Sequence, residues 1–118
     1  MSELMWVKST KNEWLYFESF TNLENISTNG VYIIWHGGQN PRVVYVGKGD
    51  IRSRLTAHRN DRTITIYNQS GPLFITWAAV SAAEQNGVER FLADRLNPLV
   101  GERHPAVVPI PVNMPWAA

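Results

Sequence analysis

The chain has 118 residues, 44% of them hydrophobic and 18% charged, with a formal net charge of +1 and no cysteine. This length suits a single domain (1–118) that buries one core without staples, and the composition excludes a disordered chain. The lack of cysteine excludes disulfides and thiolate metal sites and makes a cytoplasmic setting the default expectation. MSELMWVKST lacks the basic segment and apolar run of a secretory signal, and no stretch approaches the roughly 18 apolar residues of a spanning helix, so a soluble chain with no membrane partner is expected.

The near-neutral total hides an uneven distribution. Residues 42–62 carry Arg42, Lys48, Arg52, Arg54, Arg59 and Arg62 against Asp50 and Asp61, a local surplus of +4. Such a patch suits a phosphate-rich partner; a solvated helix face is the plain alternative.

In chain order, the lead-in 1–29 offers Trp14, Leu15, Phe17 and Phe20 for an amphipathic turn or an edge strand, and periodicity does not choose between them. GVYIIWH (30–36) is β-branched and aromatic and is followed by GGQNP, strong turn chemistry. RVVYVG (42–47) is a second strand, so the two predict an antiparallel hairpin. Alternation puts Tyr32 and Ile34 on one face of the first strand, and Val43 and Tyr45 on one face of the second. KGD then supplies a glycine and an N-cap candidate, Asp50, for a helix over 51–59 with Ile51 and Leu55 on its buried side. Arg54 and His58 lie on one flank of that stripe; Arg52, Thr56 and Arg59 lie on the other.

Residues 60–72 are polar around an ITIY core compatible with a short strand, and LFITWAAV (73–80) is a better one. SAAE at 81–84 is a capping box that gives Glu84 a structural task and starts a helix over about 82–97, ending near Pro98. Val88, Phe91, Leu92, Leu96 and Leu99 form its stripe. Glu89 stands at the stripe's edge, where a carboxylate needs a partner; positions 85 and 93, Gln85 and Ala93, offer no ion pair. The tail 102–118 holds Pro105, Pro109, Pro111 and Pro115 and is expected to strap the core. The tryptophans, Trp35 and Trp77 above all, read as core; base stacking by one of them is the alternative.

A phosphate loop of the GxxxxGK(S/T) type is excluded, because Arg42 and Gly49 occupy two of its required positions. His36, His58 and His104 lack metal-ligand spacing, and no serine sits in a GxSxG elbow. Two strand tyrosines, a lysine, helix arginines, one histidine and one edge carboxylate remain. That set fits phosphodiester hydrolysis: Mg²⁺ needs only one or two carboxylates beside substrate phosphate, arginine forks stabilise phosphoryl charge, and a tyrosine serves as general base if a nearby cation lowers its pKa from about 10.

In this order the residues resemble the GIY-YIG endonuclease superfamily over about 30–101. GVY (30–32) and YVG (45–47) look like its two signature triplets, Lys48 follows the second, RSRL carries Arg54 with His58 four residues on, and ERFLADRLNP carries Glu89. The resemblance implies a GIY-YIG-like small α/β sandwich, a three-stranded antiparallel sheet flanked by helices. It also implies a divalent-metal-dependent endonuclease acting on nucleic acid, DNA first, with one Mg²⁺ or Mn²⁺ held by Glu89. By the same resemblance Tyr32, aided by Lys48, is expected to take the proton of the attacking water, Tyr45 to orient that water, and Arg54 and His58 to stabilise phosphoryl charge. Lys48, Arg52, Arg59 and Arg62 are expected to bind nucleic acid, Arg52 being the alternative to Arg54. The family's asparagine, about three residues past the helix-ending proline, is replaced by Gly101; Asn97 and Asn113 are the asparagines left to take its part. Two further readings are a non-catalytic nucleic-acid-binding module on the same fold and a toxin-like nuclease governed by a protein partner; a homodimer is also compatible.

Overall fold

The apolar run of the first triplet becomes the interior of a sheet. The computed structural model describes residues 3–19, 23–101 and 106–116. Its elements are β1 (Leu15–Tyr16), β2 (Asn29–His36), β3 (Arg42–Asp50), α1 (Ile51–Arg59), α2 (Arg62–Thr65), β4 (Leu73–Ala79) and α3 (Ala82–Leu96). Among the described residues the sheet has four strands, all pairs antiparallel, in the order β1-β4-β2-β3. The expected three-stranded sheet is therefore one strand short. The extra strand is the edge strand β1, two residues long, too short to show any alternation. Phe20, His104 and Pro105 lie outside the described residues.

The hairpin forms as expected but runs further: β3 continues through Lys48 and Gly49 to Asp50, which pairs with Asn29. A register shift between Ile34 and Trp35 marks a β-bulge, and Val44 is the residue left without a partner. A bulge lets consecutive residues break alternation. Val43 therefore joins the cluster of Val31, Ile33, Trp35 and Val46, while Val44 and Tyr45 join that of Tyr32 and Ile34. The expectation that Val43 and Tyr45 share a face is overturned by this extra residue.

Each face of the sheet has its own cover. On one, α1 buries Ile51 and Leu55 at 0% and 1% exposure, each worth roughly 1.5–3 kcal/mol against exposure, and Phe17, Ile64, Ile75 and Trp77 complete that core. On the other, α3 buries Val88, Phe91 and Leu92. Leu99 leaves that stripe, because Asn97 adopts the left-handed conformation that ends the helix. The backbone then turns to the open edge of β3, where Leu99 N donates to Val43 O and Val100 N to Val44 O, which protects that edge from foreign strands.

The ITIY segment is helical, not extended. The Asp61 carboxylate accepts from Thr63 N at 3.0 Å and from Thr63 Oγ1 at 2.7 Å, and this N-cap starts α2, which a 3-10 turn over Ile66–Gln69 continues. Local capping outweighs a four-residue alternation. Ser81 precedes α3 and donates to Glu84 Oε1 at 3.1 Å, but its side chain accepts no backbone N–H, so the helix starts where expected without the full capping box. The tail crosses the α3 side: Ile110 N donates to Gly87 O, Val112 is buried, and Trp6 Nε1 donates to Asn113 O. No helix among the described residues is long and apolar enough to cross a membrane.

Candidate active site

The site begins with a strand register. Tyr32 on β2 lies opposite Gly47 on β3. A Cβ at position 47 would overlap the Tyr32 hydroxyl and Cζ, so the glycine is what lets the phenol ring lie across β3. The ring is fully buried. It stacks on Tyr45, with centroids 6.0 Å apart and planes at 18°.

The helix that follows β3 brings the polar partners. Arg54 and His58, four residues apart, occupy one flank of α1, and both reach the Tyr32 hydroxyl. The oxygen is 2.6 Å from His58 Nε2 and accepts from Arg54 Nε at 3.3 Å. A guanidinium only donates, so in the imidazole tautomer that leaves Nε2 without a proton the phenol donates to His58 Nε2. The His58 ring also packs on Tyr45, centroids 4.5 Å apart.

The electrostatics follow from burial. His58 is 5% exposed, and desolvation, with the Arg54 charge second, lowers its pKa from 6.5 to about 4. At neutral pH it is an uncharged base. An uncharged ring can face phosphoryl charge only as a hydrogen-bond donor. Tyr32 is raised above its ordinary value, first by burial; the Arg54 hydrogen bond pulls it back only in part, and Tyr45 and Glu89 add to the rise. Burial therefore outweighs the cation that was expected to lower it. The phenol stays protonated at rest.

The opposite flank of α1 does different work. Arg52 donates to Glu24 O at 3.3 Å and Arg59 to Phe17 O at 2.9 Å, and the Arg59 guanidinium stands 5.9 Å from the Phe17 ring centre. Both tie the helix to the lead-in, which settles Arg54 over Arg52 as the arginine beside Tyr32. Arg62 is exposed on α2. Lys48 pairs with Val31, so strand alternation assigns it to the α3 side, away from the tyrosine cluster.

Glu89 is buried on α3, 7% exposed, and its carboxylate is near enough to Tyr32 to raise that group's pKa. Gly101 lies beside Tyr45: a Cβ there would be 3.5 Å from Tyr45 Cε2, at a φ of +130°. A side chain at 101 thus has room next to the site but a backbone that favours glycine. Asn97 and Asn113 do not take its place, since Asn97 ends α3 and Asn113 Nδ2 donates to Leu4 O.

Among the described residues no three His, Asp or Glu side chains converge. A cation at the Glu89 carboxylate would have to complete its shell with water and substrate phosphate, a donor set that would suit a hard ion such as Mg²⁺ or Mn²⁺ and not zinc. Sequence reasoning found Tyr32, Tyr45, Arg54 and His58, which converge, and missed Gly47 as the residue that admits the Tyr32 ring. Compared with known protein families, curated proteins and solved structures, the chain matches none of them.

Proposed function

We propose that this chain is a divalent-metal-dependent endonuclease of the GIY-YIG kind that hydrolyses a phosphodiester bond of DNA. The observation that carries the reading is the Tyr32 hydroxyl held between a neutral imidazole and a guanidinium. In the reaction a water oxygen forms a bond to phosphorus and the bond to the 3′ oxygen breaks. Tyr32 takes the water's proton as its own passes to His58 Nε2, so no free phenolate is needed in a buried site. Arg54 then faces the charge that develops on the phosphoryl oxygens, and Tyr45 fixes the phenol and imidazole rings from the side. Glu89 would hold a divalent cation such as Mg²⁺ or Mn²⁺, which would supply charge neutralisation to the phosphoryl group. A non-catalytic nucleic-acid-binding module is the second reading, favoured by Gly101; it predicts salt-dependent binding without cleavage.

Supercoiled plasmid incubated with Mg²⁺ or Mn²⁺ tests the assignment. The wild type is expected to nick it and Glu89→Ala to leave it supercoiled. Equal nicking by the two proteins sinks the metal assignment.

A further inference from the structure

On the α3 side of the sheet lies an open cavity of about 380 Å³, lined by Trp14, Trp35, Trp116, Pro41, Arg42 and Val43. The three tryptophans arrive from the lead-in, from β2 and from the tail. Trp14 and Trp116 each stand at right angles to Trp35, at 87° and 86°, with centroids 5.4 and 5.0 Å away. Trp35 is 8% exposed, whereas Trp14 and Trp116 are half-buried. Trp35 is also stacked on Phe74, centroids 5.6 Å apart at 23°, and the Lys8 ammonium stands 4.3 Å from the Trp14 ring centre; Trp116, held by its edge-on contact with Trp35, is the ring that keeps a face for a flat ligand.

An aromatic box alone favours a cation, but Arg42 on the lining repels one. Arg42 is exposed, and the one hydrogen bond of its guanidinium among the described residues is to Asn97 O, at 3.4 Å. Most of its five N–H groups therefore remain for an anion, and a guanidinium fork matches phosphate. The volume falls within the range of small-ligand pockets.

From these walls and this charge we infer that the cavity is a nucleotide site, holding a base against Trp116 and its phosphate on Arg42. The inference deepens the nuclease reading and, for a base within a strand, rests on it. Arg42 opens β3, three residues before Tyr45, roughly 10 Å along the strand. Trp35 and Val43 lie on the face opposite the Tyr32 cluster, so the cavity binds and does not react.

Titration of the intact protein, without metal, with AMP, adenosine, choline and a single-stranded oligonucleotide of about ten nucleotides tests the inference. AMP is expected to quench tryptophan fluorescence saturably and choline to leave it unchanged. Trp116→Ala should weaken AMP roughly five- to a hundredfold. Arg42→Ala, at an exposed position that folding does not need, should weaken AMP at least about tenfold while leaving adenosine unaffected. Tighter oligonucleotide binding, lost in the same variants, assigns a base within a strand; AMP binding with no oligonucleotide gain assigns a free nucleotide. Choline binding in place of AMP, or wild-type AMP affinity in Arg42→Ala, overturns the inference. A wild type that binds AMP yet never nicks plasmid overturns the nuclease reading alone.

Discussion

The two faces of one sheet do different work. Toward α1, the residues of β2 and β3 meet a cluster of hydroxyl, imidazole and guanidinium groups set inside an apolar core. Toward α3, the alternate residues of the same strands meet Val88, Phe91, Leu92 and the tail, and the polar group buried there on α3 is Glu89. Strand alternation separates the two sets, and the bulge at Val44 keeps Tyr45 with the chemistry. Both faces carry an apolar core of similar size, and the α1 core in addition encloses the hydroxyl, imidazole and guanidinium cluster. The two proposed parts of the machinery, the tyrosine cluster and the metal carboxylate, come from opposite layers.

The comparison breaks first, if it is wrong, on the α3 side. Phe91→Ala should cost about 3–5 kcal/mol, read from denaturant unfolding, while plasmid cleavage per folded molecule stays at the wild-type level. A rate loss in the folded fraction would show that the α3 face shapes the reaction as well.

The polar face should instead answer to pH. Because the His58 pKa drops from 6.5 to about 4 on folding, the unfolded chain binds a proton between those values that the folded chain refuses. Stability is complete above pH 6.5 and is lost as pH falls toward 4, by about 2 kcal/mol at pH 5. Melting curves at pH 7 and pH 5 should show this loss in the wild type and not in His58→Gln; the same loss in both removes His58 as its source. Gly47→Ala sharpens the contrast: overpacking should cost about 1–3 kcal/mol, yet cleavage should fall further than stability, because the added methyl displaces the Tyr32 ring. Cleavage that merely tracks stability would make Gly47 a packing residue.

Much of this architecture was legible in the residues. Hairpin and helices announced themselves through β-branched runs, the GGQNP turn, the SAAE start and the four-residue spacing of Arg54 and His58. Three features were hidden for physical reasons. β1 is shorter than any period. The ITIY alternation is overruled by the Asp61 cap, a single side chain binding Thr63. The bulge depends on pairing between strands, which no single strand records. Of the site, the residue types and their order were readable, but the imidazole's charge was not. Burial beside Arg54 is what keeps His58 neutral well below pH 6.5.

The central claim is that the Tyr32 hydroxyl handles the proton of the attacking water, and Tyr32→Phe tests it most directly because the ring and its packing on Gly47 are kept. Plasmid nicking with Mn²⁺ should fall at least about a hundredfold, with an unchanged circular dichroism spectrum and a stability loss of about 1–2 kcal/mol from the missing buried hydrogen bonds. Nicking by Tyr32→Phe at the wild-type rate would contradict the account.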